Sequence, residues 1–229
     1  MKKLLLSAFV ICLAGTSIAQ ESPLWMRHCA LSPDGTTIAF TYKGDIYTVP
    51  STGGRATQIT TNPAFDTEPV WSPDSKQIAF ASDRMGSLDV FVVSSEGGTP
   101  QRLTTHSGSE KPVAYKDSKH ILFTANIAPS AEDAGFPSGQ FQQVYEVPVT
   151  GGRPTMFSSM PMECISINKE GVMLYQDKKG YEDYWRKHQV SPIARDIWTY
   201  TPGKAPIYQK QTTFRGEDRE PVWSPDGQS

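Results

Sequence analysis

Trp71-Ser72-Pro73-Asp74 returns as Trp223-Ser224-Pro225-Asp226, and Leu31-Ser32-Pro33-Asp34-Gly35 is a third copy. Proline fixes φ and aspartate bonds its own backbone, so each copy reads as a turn. Apolar stretches flank it, Pro69-Val70-Trp71 before and Gln77 to Ala81 after. The unit is strand, turn, strand, and its recurrence predicts an array of similar parts.

Aligned on Phe80, the second strand recurs as Ile38-Ala39-Phe40, Ile78-Ala79-Phe80, Ile121-Leu122-Phe123 and Met173-Leu174-Tyr175. Lys116-Asp117-Ser118 and Asn168-Lys169-Glu170-Gly171 stand in for the turn in the third and fourth units. A third strand of alternating character follows: Asp45 to Val49, Asp89 to Val93, Val144 to Val147 and Asp196 to Tyr200. Gly53-Gly54, Gly97-Gly98 and Gly151-Gly152 then allow a tight turn. A fourth strand ends in a polar corner such as Gln58-Ile59-Thr60-Thr61, Arg102-Leu103-Thr104-Thr105 or Gln211-Thr212-Thr213.

Four short strands repeating about every 40 residues predict an all-β β-propeller of four-stranded antiparallel blades. The blades are expected at approximately 29–69, 70–112, 113–164 and 165–221, with the next starting over 222–229. The last copy stops at Ser229, inside its turn. The expectation is an N-terminal portion of a longer protein, four complete blades and the start of a fifth, six-bladed in full.

Residues 1–19 read as a signal peptide. Lys2 and Lys3 precede an apolar Leu4 to Ala14, and Ser17-Ile18-Ala19 gives the small-x-small cleavage pattern. The apolar stretch is short for a membrane span, and Ile11 argues against lipidation at Cys12. An exported, periplasmic protein with one domain over residues 20–229 is the expectation. With 22 basic and 24 acidic residues, net charge -2, the chain carries no basic excess that would point to nucleic acid. Cys29 and Cys164 remain after the signal. Placed in one register of the first and fourth blades, they face each other across the axis of a six-bladed wheel, beyond the ~7 Å disulfide limit. Two buried thiols are expected.

The charged residues Glu68, Lys111, Glu163 and Glu220 each precede an inner strand, and His28 holds the matching place in the first blade. They predict a mostly acidic ring at one channel mouth, able to focus a field on cationic or peptide N-terminal groups. A purely structural role, accepting corner amides or pairing with an Arg of the next blade, stays open. Residues 128–140 and 176–195 lengthen the second-to-third strand connections of blades three and four; such loops often carry function. The second holds Trp185, Arg186 and His188, candidates for peptide contact, although packing over the blade edge is the alternative. Trp71 and Trp223 read as inter-blade packing.

No Gly-x-Ser-x-Gly, His-Glu-x-x-His, Cys-x-x-Cys or phosphate-binding loop occurs, and His28, His106, His120 and His188 are scattered over different repeats. Neither a catalytic site, a metal site nor a cofactor is expected here.

The segment Ser82-Asp83-Arg84-Met85-Gly86-Ser87-Leu88-Asp89-Val90-Phe91, with the Ser-Pro-Asp-Gly units, resembles the repeats of TolB-like and peptidase propellers. Asp83 and Arg84 are expected to bond across its hairpin. Tyr184-Trp185-Arg186-Lys187-His188 through Arg195-Asp196-Ile197-Trp198 is similar to a segment of the N-terminal six-bladed propeller of tricorn-type serine peptidases, although Gln189 and Pro192 depart from it. The resemblance implies a propeller that gates or guides peptide substrates, followed by a second propeller, a PDZ module and a Ser/His catalytic domain. A TolB-like periplasmic binding scaffold and the propeller of a dipeptidyl-peptidase-like hydrolase are the alternatives.

Overall fold

The computed structural model describes residues 25–127, 141–180, 192–224 and 227. They form four sheets of four strands, each an antiparallel meander in chain order. The first holds β1 (Arg27–Leu31), β2 (Thr37–Tyr42), β3 (Asp45–Pro50) and β4 (Thr57–Gln58). The second holds β5 (Asp66–Trp71), β6 (Gln77–Ser82), β7 (Asp89–Ser94) and β8 (Gln101–Arg102). The third holds β9 (Lys111–Tyr115), β10 (His120–Ala125), β11 (Gln143–Pro148) and β12 (Thr155–Ser158). The fourth holds β13 (Met162–Ile167), β14 (Met173–Asp177), β15 (Ile197–Thr201) and β16 (Ile207–Lys210). The described residues include no helix, hence none long and apolar enough to cross a membrane. This is an all-β propeller architecture, with β1, β5, β9 and β13 in successive contact as the innermost strands.

The repeated turn works as its residues dictate. Ser72 Oγ donates to Asp74 Oδ1 at 2.6 Å and accepts the Gln77 amide at 2.9 Å. The Ser32 and Asp34 copy is the same, with Oγ to Oδ1 at 2.6 Å. These hydroxyls, then the Thr36 and Lys76 amides, hold both carboxyls below their ordinary range. Asp117 and Asn168 take over in the shorter third and fourth turns, accepting from His120 N at 2.8 Å and Val172 N at 2.9 Å. Each glycine of the Gly-Gly turns has positive φ, from 81° at Gly151 to 136° at Gly152.

The fourth strands of the first two blades stop at Gln58 and Arg102, before the predicted corners. Threonine hydroxyls there replace ladder carbonyls. Thr60 Oγ1 accepts the Ile46 amide at 3.0 Å, and Thr104 Oγ1 accepts the Val90 amide at 2.9 Å. Asp83 closes its own hairpin through the backbone, its carbonyl accepting the Gly86 amide at 2.8 Å, while the two side chains turn elsewhere. They reach back to the start of β5: Asp83 Oδ1 accepts Phe65 N at 2.8 Å, and Arg84 Nη2 lies 2.9 Å from both Asp66 oxygens. Arg84 also lies over the Phe91 ring at 4.6 Å.

The apolar cores lie between blades. Successive side chains of a strand point to opposite faces, so Ile78 and Phe80 join Ala39, Ile46 and Trp71 in the first seam. Ala79 faces Tyr115, Ile121 and Phe123 in the second, and Leu122 faces Met162, Met173 and Tyr175 in the third. The small middle residue of Ile-Ala-Phe makes room for the next blade's inner aromatic. Trp71, 7% exposed, settles there and donates Nε1–H to the Ala30 carbonyl at 2.9 Å.

Candidate functional site at the axial mouth

Three inner-strand positions share one backbone irregularity, and Glu220, beyond the last strand, shares its left-handed φ. In β5 the pairing runs Thr67 to Ala81 and then Val70 to Ala79, so Glu68 and Pro69 oppose a single residue. That bulge puts Glu68 at φ 55°, and His28, Cys164 and Glu220 have φ of 51°, 52° and 54°. Left-handed backbone at non-glycine residues costs roughly 1 kcal/mol each, and its recurrence re-aims one side chain in the first, second and fourth blades.

The equivalence differs from that expected at two places. Lys111 pairs with Thr124 and Glu163 with Gln176, as Thr67 pairs with Ala81. Pro112 and Cys164 are therefore the counterparts of Glu68. The cause is the turn that follows: it spans Ser72 to Gln77 in the second blade, but only Lys116 to His120 and Asn168 to Val172 in the next two. The same step separates the cysteines, since Cys164 occupies the bulge and Cys29 follows it. Both thiols are free and exposed rather than buried.

Of the candidate charges the structure brings one pair together and gives Glu163 partners of its own. Lys111 Nζ lies 2.8 Å from Glu68 Oε1, joining the third blade to the second. Glu163 accepts from Lys178 Nζ at 2.8 Å, Gln176 Nε2 at 2.9 Å and Arg195 Nε at 3.2 Å, and these donors hold its carboxyl below the ordinary range against burial. Arg195 reaches on to Glu217, 3.5 Å away, which Arg219 also contacts at 2.7 Å. The Glu220 amide donates to Gln176 Oε1 at 2.9 Å, while its side chain is exposed. Cys164 lies among these acids: partial desolvation raises its thiol pKa first, and the carboxylates of Glu163, Glu220 and Glu68 add to the rise.

The mouth thus carries Glu68, Glu163, Glu217 and Glu220 beside Lys111, Lys178, Arg195 and Arg219, a balanced set where a mostly acidic ring was expected. The partners Lys178 and Arg195 were missed, although both flank the long insertion of the fourth blade, a placement that could have flagged them. Trp185, Arg186 and His188 lie outside the described residues. His28 Nδ1 is 2.9 Å from Thr67 Oγ1, a contact that joins the first blade to the second, while His106 Nδ1 accepts the Gly108 amide at 3.0 Å within its own corner. Such a mouth can hold a zwitterionic chain end by paired, exchangeable ion contacts.

Residues 23–228 match the family described as the tricorn protease N-terminal β-propeller domain. Tricorn protease homolog 1 of Streptomyces coelicolor is 39% identical over 193 residues, 83% of this chain and 17% of that protein. The solved tricorn protease is similar with a TM-score of 0.64 at 16% identity, over 86% of this chain and 19% of that one. TolB from Acinetobacter baumannii reaches 0.62 at 19% identity, over 89% and 47%. The solved structures share the fold, and the chain spans only 17% of the curated relative's length. With the repeats, the between-blade cores and the family match running together along its length, the chain belongs to the tricorn protease N-terminal β-propeller domain family.

Proposed function

We propose that this is the non-catalytic N-terminal propeller of an exported tricorn-type serine peptidase, gating or positioning peptides for a catalytic domain elsewhere in the polypeptide. The observation that carries the reading is the balanced ion-pair cluster at the axial mouth. A peptide brings one charge of each sign at its ends, and Glu68, Lys111 and Glu220 offer both signs within one opening. Trp185, Arg186 and His188 belong to the same proposal as contacts from the fourth-blade insertion. In this reading residues 1–19 direct export to the periplasm, and Trp223 opens a fifth blade of six. Its amide donates to Ser166 Oγ at 3.2 Å and its Nε1–H to the Val172 carbonyl at 3.2 Å, a docking on the fourth blade that supports this. A second propeller, a PDZ module and a Ser/His domain make up the remainder.

Fluorescence anisotropy of labelled peptides with the 229-residue chain tests the reading. Binding is expected to weaken with salt and to fall several-fold in a Glu68→Gln, Glu220→Gln double variant, without hydrolysis of the peptide. Unchanged binding by that variant removes the role of the mouth. The likeness to TolB favours one other reading, a binding scaffold with no peptidase attached; a catalytic domain encoded on the same polypeptide decides against it.

A further inference from the structure

Each blade's third strand opens close to the residue that begins the next inner strand. The Asp66 amide donates to the Gly44 carbonyl at 2.7 Å, the Glu110 amide to Leu88 at 2.7 Å and the Asp218 amide to Arg195 at 3.1 Å. These contacts set acid against acid: Asp45 with Asp66, Asp89 with Glu110, Asp196 with Asp218. The remaining junction substitutes Gln143 and Met162, removing both charges.

Two acidic junctions receive a cation from the strand between. Arg84 clamps both oxygens of Asp66, and Lys179, its counterpart by register, bonds Asp196 together with Lys210 at 2.8 Å. Arg84 holds the acid that opens the inner strand of its own blade, and the third blade, whose inner strand follows Glu110, has Ile127 at that register position, packed against the apolar core. Arg102 comes instead from β8, and its Nη2 lies 2.9 Å from Asp89 Oδ2. Glu110 is left with 0% exposure and no ion pair among the described residues. Asp89 from β7 faces it, with the Thr104 hydroxyl and the His106 amide from the connector, and Arg102 from β8 pairs with Asp89. The next residue, Lys111, spends its ammonium on Glu68.

We propose that Glu110 is a proton switch: protonated, it seals the junction of the second and third blades, and ionised, it loosens the inner strand that presents Lys111 to Glu68. The inference rests on the junction alone and not on peptide binding. Burial first, and the Asp89 charge after it, push the Glu110 carboxyl up to about 7 from 4.5. The folded value exceeds the unfolded one, so the proton's contribution is complete below about 4.5 and is lost as pH rises through about 7.

Thermal unfolding of the 229-residue chain between pH 5.5 and 8.5 provides the first arm. The wild type is expected to lose about 6 °C more than Glu110→Gln over this range. His106→Asn, which removes the histidine of the connector, keeps that loss. The second arm uses the unmutated protein, in case Glu110→Gln does not fold. Side-chain carboxyl NMR with labelled glutamate is expected to give one resonance with a midpoint near 7, and the Lys111 side-chain signal shifts with it. A Glu110 midpoint below 5, or equal pH slopes in wild type and Glu110→Gln, overturns the switch. A Lys111 signal indifferent to pH overturns its coupling to the mouth.

Discussion

The seams between blades and the mouth on the axis are built from the same strands by opposite rules. The first two seams repeat one solution, large residues from one sheet, a small one from its neighbour and an inner aromatic closing the gap, as Trp71 does over Ala39, and the third reaches the same apolar filling with Leu122 against Met162 and Met173. The mouth repeats a backbone shape, the left-handed φ, and fills it differently each time, with His28, Glu68, Cys164 and Glu220. Apolar chemistry fills every seam, and polar chemistry varies over the common frame of the mouth. The two are separated by a few residues along each inner strand.

The largest effect should come from the seam. Trp71→Ala removes the residue that fills the first seam and its bond to Ala30, and is expected to cost about 4 kcal/mol in urea unfolding. Arg84→Met tests the boundary between the two regions. It leaves the fully buried Asp66 carboxylate without its clamp and removes the contact over Phe91, for an expected loss of about 3 kcal/mol. Glu68→Gln belongs to the mouth. Its pair with Lys111 is partly exposed on both sides, so stability is expected to change by less than about 1 kcal/mol while salt-sensitive peptide binding drops. A Glu68→Gln chain as destabilised as Trp71→Ala would merge the two regions into one.

The blades were legible because their signals are local. Ser-Pro-Asp with Ile-Ala-Phe fixes a turn and the strand after it, and the third strands follow from alternation. The corners were less so, because a threonine hydroxyl that takes a ladder bond, as Thr60 does, looks like strand in the sequence. The mouth was legible in kind and misaligned in detail. Its residues are defined by pairing partners across a turn, and a turn one residue shorter moved Pro112 and Cys164 into the places assigned to Lys111 and Glu163. Lys178 and Arg195 could not be placed without the fold, since they meet Glu163 only where the two stems of a long insertion return to the axis. The unclamped Glu110 follows from an Ile127 where the second and fourth blades carry Arg84 and Lys179, and only superposed corners expose it.

Among the described residues, no backbone ladder crosses from one sheet to the next. Neighbouring blades are held by interdigitated side chains and a few isolated bonds, such as that from Trp71 to Ala30. Mechanically the domain is a set of stiff plates on greased hinges. Plates of this kind can shift against one another without breaking any strand pairing, so the soft coordinate of the described blades is the angle between neighbours, and deformation is borne by the seams before the sheets.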